Sequence, residues 1–165
     1  MGLSLVGAVG GLMSGASASV SAPSDGAAVV YRLPLASAPV LLRAFSAPPD
    51  RYAAGHRGVD LASAAGQPVL AAGAGVVTFA GSVAGRGVVV LRHPDGILTE
   101  YEPVEASVRA GAVVTAGAVL GVVAGQHGDC PRDGCLHWGA RRADVYFDPL
   151  GLLRALGPVR LVPLR

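Results

Sequence analysis

Gly55-His56-Arg57-Gly58-Val59-Asp60-Leu61 sets the reading of this chain. A histidine and an aspartate stand four apart around a glycine, and a second histidine follows far downstream in Cys135-Leu136-His137-Trp138-Gly139. Imidazole nitrogen with carboxylate oxygen is a donor set suited to zinc. On one straight strand, rising about 3.3 Å per residue, His56 and Asp60 would share a face but lie about 13 Å apart. Ligands of one zinc ion must bring their donor atoms to within about 2 Å of it. The backbone is therefore expected to fold back between them, with Gly58 free to adopt an unusual φ. A helix would bring i and i+4 together without a bend, but the central glycine and Val59 disfavour one. Taken alone, so short a motif reads equally well as a loop histidine and a turn aspartate.

Downstream the chain breaks into short apolar runs ended by glycine. Pro68-Val69-Leu70-Ala71-Ala72 stops at Gly73, and residues 75–80 stop at Gly81. Residues 87–93 meet the turn Pro94-Asp95-Gly96, and the alternating stretch 97–102 follows, which is a hairpin signal. Residues 104–109 form a linker or short strand, residues 110–123 repeat the Val/Gly pattern, and another strand is expected over residues 139–146, around Ala140-Arg141-Arg142. Such spacing predicts a mostly β fold, a small antiparallel sandwich or open barrel. Residues 148–156 should close it as a short helix, with Asp148 as N-cap and Pro149 at the first position.

The 165 residues suit one domain with a tail, and the 24 glycines fit a β-rich chain with many turns. A formal net charge of +2 demands neither nucleic acid nor an acidic membrane surface as partner. All thirteen basic residues are arginine. Residues 111–123 are like the hairpin of biotinyl or lipoyl carrier domains, but those need a lysine for attachment and this chain has none. Residues 1–22 are small and apolar, like the hydrophobic region of a signal peptide. Ala16-Ser17-Ala18 or Val20-Ser21-Ala22 would serve as cleavage site, although a basic leading region is missing. The run is too short and glycine-rich for a membrane span. The chain is thus expected to be exported, with a proline-cut arm over 23–50, the main domain over 51–156, a tail over 157–165, and a monomeric state. In an exported chain Cys130-Pro131-Arg132-Asp133-Gly134-Cys135 reads as a short disulfide loop; in the cytosol the same pair could offer thiolates to a metal.

The other histidines carry weaker signals. His93 sits at a strand end before a turn, and His127 lies in the loop Gly125-Gln126-His127-Gly128. His137 and Cys135 would share a strand face, and the plain alternative for His137 is a core position beside Trp138.

Several motifs together resemble the zinc metallopeptidases of the lysostaphin/LytM type, family M23. They are His-x-Gly-x-Asp at 56–60, Gly-x-Pro-Val-x-Ala-Ala from Gly66, the Val-x-x-Gly-x-Val pattern through Leu120-Gly121, and Leu136-His137-Trp138 before Asp148-Pro149. The likeness runs over residues 55–149. It implies a small antiparallel β-domain with a groove and a Zn²⁺ ion held by His56, Asp60 and His137. It also implies a secreted or cell-wall-associated endopeptidase, hydrolysing peptide cross-bridges of bacterial peptidoglycan. Two positions depart from the family. Cys135 stands where a catalytic histidine usually precedes the last ligand, and Pro103, in Tyr101-Glu102-Pro103, stands where the other is found. Glu102 or Glu105 would then have to act as base, or His127 would have to enter from its loop. A reduced Cys135 could serve as a fourth zinc ligand, whereas one bonded to Cys130 could not. Besides the enzyme, two readings follow: a catalytically degenerate module that binds cell-wall peptide or regulates another hydrolase, and a β-sandwich whose histidines are incidental.

Overall fold

A computed structural model describes residues 28–50, 53–125, 130 and 134–156. The expected leader over residues 1–22, His127 and the expected tail over 157–165 lie outside the described residues. The strands are β1 (Leu41–Arg43), β2 (Gly58–Ala62), β3 (Pro68–Leu70), β4 (Gly75–Val83), β5 (Arg86–Arg92) and β6 (Ile97–Glu102). They continue with β7 (Val104–Ala106), β8 (Val113–Val114), β9 (Val119–Val123), β10 (Cys135–Arg142) and β11 (Val145–Phe147). A 3₁₀ helix, Pro149–Leu156, ends the described chain. One antiparallel sheet runs in the order β1-β2-β10-β6-β5-β4-β8, with β11 added to β10, and a smaller sheet runs β3-β9-β7. The expected antiparallel β architecture is thus the one observed, open rather than closed.

Period-two alternation explains how the larger sheet divides its faces. In β6, Ile97, Thr99 and Tyr101 are buried, while Leu98, Glu100 and Glu102 are only half-buried. In β10, Leu136, Trp138 and Ala140 turn to the core, while His137 and Arg141 are partly exposed. Val59, Leu61, Leu91, Tyr101, Leu120 and Trp138 are completely buried. The opposite face carries the polar side chains and, with them, the candidate site.

Three local expectations meet a more detailed outcome. The Asp95-Gly96 turn joins β5 to β6, with Gly96 at φ +79° and the Ile97 N–H donating to Asp95 Oδ1 at 3.2 Å. Asp148 caps the last helix by accepting the Leu150 N–H at 3.0 Å, and the helix is 3₁₀. The strand expected around residues 140–142 starts earlier, at Cys135, and turns back through Ala143 at φ +49° into β11. No helix among the described residues is long and apolar enough to cross a membrane.

His93 is not a loose strand-end residue. It is 2% exposed, with Nδ1 at 2.8 Å from the Ala74 carbonyl and Nε2 at 2.8 Å from Thr99 Oγ1. Thr99 in turn meets the Tyr101 hydroxyl at 2.8 Å, which accepts the Ala72 N–H at 3.0 Å. Burial pushes the Tyr101 hydroxyl up to about 12 and holds the His93 imidazole below its ordinary value, against the opposing pull of the Ala74 carbonyl and Asp95. An unfolded His93 therefore takes up a proton more readily than the folded one. Its contribution to stability is complete at high pH and is lost as pH falls below about 6.5. Urea midpoints of the metal-free chain should decline over that range, and His93→Gln should remove part of the slope.

Candidate metal centre

Strands β2 and β10 are direct neighbours, and Asp60 is the register partner of His137. Directly opposed residues of an antiparallel pair point to the same face, so two residues 77 positions apart meet: His137 Nδ1 lies 2.8 Å from Asp60 Oδ1. His56 arrives from outside the strand. It forms a two-way backbone bridge with Ser46, the chain bends at Arg57, and β2 begins at Gly58. This places His56 Nε2 at 3.0 Å from Asp60 Oδ1 and 3.1 Å from His137 Nδ1.

The fold-back between His56 and Asp60 is thus present, but Gly58 is needed for a different reason from an unusual φ. Its φ does not fall in the left-handed region. A Cβ at Gly58 would collide with the Trp138 carbonyl oxygen and come within 2.7 Å of His137 Nε2. Close approach of backbone and imidazole is what demands glycine here.

The His56 ring is oriented by the arm. Nδ1 sits 2.8 Å from the Ala44 carbonyl oxygen, and a carbonyl only accepts, so Nδ1 carries the proton. In the neutral ring the lone pair of Nε2 then faces a carboxylate oxygen. Lone pairs brought together in this way repel one another unless a cation sits between them. Tetrahedral bonds of about 2.0–2.1 Å to zinc would set neighbouring donors roughly 3.3 Å apart. The observed separations of 2.8, 3.0 and 3.1 Å need only a slight opening to reach that. The two-nitrogen, one-oxygen set and the backbone partner on the outer imidazole nitrogen fit such an ion. His56 and Asp60 are buried, whereas the His137 side chain retains 13% exposure, so the group opens on that side.

Of the other candidates, Glu102 is the register partner of His137 across β6, on the same row of the sheet. Its carboxylate is ion-paired with Arg86 Nε. Glu105 is exposed on β7 in the smaller sheet, opposite Val122, away from this row. Cys135 is bonded to Cys130, with Cα atoms 5.9 Å apart. The alternative of Cys135 as a thiolate fourth ligand is therefore corrected: its sulfur is committed. Removing this staple by Cys130→Ser with Cys135→Ser should cost about 2 kcal/mol, the loop-closure value for so short a loop, while leaving bound metal unchanged. Paired urea melts and metal analysis check both halves.

Sequence reasoning did not find Ala44, whose carbonyl acts through the backbone and leaves no trace in residue type. It also did not find a polar cluster further along the same face. There Arg141 Nε donates to Glu100 Oε1 at 2.7 Å, and the Tyr146 hydroxyl donates to Glu100 Oε2 at 3.2 Å. Glu100 raises the already high pKa of the Arg141 guanidinium. Burial, then the Glu100 charge, raises that of Tyr146.

Residues 54–149 match the family model of peptidase family M23. The uncharacterized protein Rv2891 of Mycobacterium tuberculosis is 50% identical over 135 residues, covering 79% of this chain and 54% of that protein. The chain spans about half the length of the curated relatives it matches. Among solved structures, a putative peptidase M23 from Pseudomonas aeruginosa superposes with a TM-score of 0.58 at 26% identity, over 79% of this chain and 53% of that one. A zinc-containing peptidase from Vibrio cholerae gives a TM-score of 0.63 over 77% of this chain and 40% of that one; at 21% identity the likeness is one of fold.

Proposed function

The chain belongs to peptidase family M23, and from that premise we propose that it is an exported zinc endopeptidase acting on peptide cross-bridges of bacterial peptidoglycan. The observation that carries this reading is the convergence of His56 Nε2, Asp60 Oδ1 and His137 Nδ1 within 3.1 Å of one another. Zinc bound there would supply Lewis acidity towards a peptide carbonyl and towards water. The residues of the chain do the rest. Ala44 holds the His56 tautomer, buried Asp60 supplies the anionic ligand, and the exposed edge of His137 leaves room for substrate. Glu102, beside His137 in register, is assigned as proton acceptor, with Arg86 fixing its carboxylate.

A second reading is favoured by Pro103 and the disulfide-bonded Cys135, which stand where the family resemblance expects histidines. One positioned acid or base contributes about 10²–10⁴ in rate, and on this second reading the chain is a module that binds cell-wall peptide without cutting it. The zinc-loaded chain incubated with cross-linked peptidoglycan peptides separates the two. New amino termini that disappear with chelator and with His56→Ala support the enzyme; retained binding with no cleavage supports the module. For the enzyme, Glu102→Gln should lower turnover by about 10²-fold with zinc content unchanged.

A further inference from the structure

Strand β1, at the edge of the larger sheet, is irregular beside the metal centre. Leu41 pairs with Leu61, but the next residue of β2, Asp60, stands opposite Arg43 rather than Leu42. One extra residue is thus fitted into β1, a β-bulge, which re-aims the side chain that follows it. Simple alternation would put Arg43 on the side of Leu41 and Phe45, both of which pack against the core. The bulge turns it the other way. Opposed residues of an antiparallel pair share a face, with Cα atoms about 5 Å apart, so Arg43 stands on the face of Asp60. Arg43, Asp60, His137 and Glu102 then form one row across β1, β2, β10 and β6.

Charge is ordered along this row. Glu102, at one end, is ion-paired with Arg86. The three metal donors lie in the middle, and Arg43 stands at the other end. Arg43 is exposed and, among the described residues, has no hydrogen-bond or ion-pair partner. Arg86 and Arg141, by contrast, are committed to Glu102 and Glu100. A guanidinium presents five N–H donors on a long stem. Few other donors are at hand: Cys135, the next residue along this face of β10, is held in the disulfide, and Pro103 has no N–H.

We propose that Arg43 is the anion donor of the centre, holding the oxyanion that forms on the carbonyl oxygen of a peptide under attack. The proposal rests on the peptidase reading above and adds a catalytic residue to it. In that reaction the water oxygen bonds to the carbonyl carbon, the water proton passes to Glu102, and the C=O π pair moves onto oxygen, beside the Arg43 guanidinium. The pair then returns, the C–N bond breaks, and the amine leaves with the proton from Glu102. A donor that meets charge only as it develops raises kcat rather than affinity for the substrate.

The test begins with binding. The zinc-loaded chain is titrated by calorimetry with inorganic phosphate, a tetrahedral anion, and with imidazole, a neutral ligand. Arg43→Gln should weaken phosphate about tenfold and leave imidazole binding and zinc content unchanged. Arg43→Lys, which keeps the charge without the planar fork, should fall between the two. Arg109→Gln removes the same charge from an exposed position between β7 and β8 and should bind phosphate as the native chain does. With cross-linked peptidoglycan peptides, Arg43→Gln should lower kcat about 10²-fold at constant KM.

A native chain that holds zinc but takes no phosphate overturns the proposal. So does unchanged phosphate affinity in Arg43→Gln, or an equal loss in Arg109→Gln, and each leaves the peptidase reading standing. A rise in KM at constant kcat makes Arg43 a substrate anchor and overturns its role at the oxyanion. If the native chain cleaves nothing while phosphate still depends on Arg43, the anion donor stands and the peptidase reading falls.

Discussion

His137→Ala should take bound zinc from about one equivalent per chain to near zero, because it leaves two protein donors where three are needed. Nδ1 of His137 is one corner of a triangle whose sides are 2.8, 3.0 and 3.1 Å. Losing a partner merely outside the ligand shell commonly costs 10- to 100-fold in metal affinity, and a direct ligand should cost more. The fold should survive, because His137 faces away from the core that Leu136 and Trp138 enter from the same strand. Metal analysis after gel filtration, paired with far-ultraviolet circular dichroism, reads both parts. One equivalent retained by the variant would mean that the ion sits elsewhere. His56→Ala should lose metal equally and destabilise the arm as well, since the Ala44 carbonyl loses its donor.

Gly58→Ala should cost about 3 kcal/mol of stability, with metal affinity falling as well. The added methyl meets the Trp138 carbonyl oxygen, which belongs to the paired strand and cannot rotate aside. It also meets the His137 ring at 2.7 Å, so relief by side-chain movement would swing that imidazole away from Asp60. Gly151→Ala is the control. Nothing lies within 4 Å of a Cβ there, and the change should be close to neutral. Urea midpoints for the two variants give the comparison, and equal midpoints would remove the close-approach argument.

The expected elements that matched best were those with a local signal. The Asp95-Gly96 hairpin announces itself because a turn needing φ > 0 selects glycine. The Asp148 cap does so because a side-chain oxygen must satisfy a free N–H at a helix start. The turn into β11 gave no such signal: Ala143 takes φ +49° without being glycine or asparagine, so the strand was read straight through. Gly58 carried a correct residue-level signal with the wrong cause, since a glycine kept for close approach looks the same in sequence as one kept for its φ. His93 looked incidental because its partners, the Ala74 carbonyl and Thr99, are recruited by packing.

From its sequence alone the chain is a β-rich domain of short strands, carries a His-x-x-x-Asp pair and a distant histidine, and is barred from lysine-attached carrier chemistry. Those properties reside in residue type, spacing and period, which are local. Tertiary structure alone decided that Asp60 faces His137 across two strands and that Ala44 turns the His56 ring. It also decided that Glu102 is held by Arg86 and that Arg141 and Tyr146 gather on Glu100. Each of these depends on strand register or on a backbone group meeting a residue far away in the chain. The energy that selects such pairings comes from burying one face of the sheet, and no short window of sequence contains it.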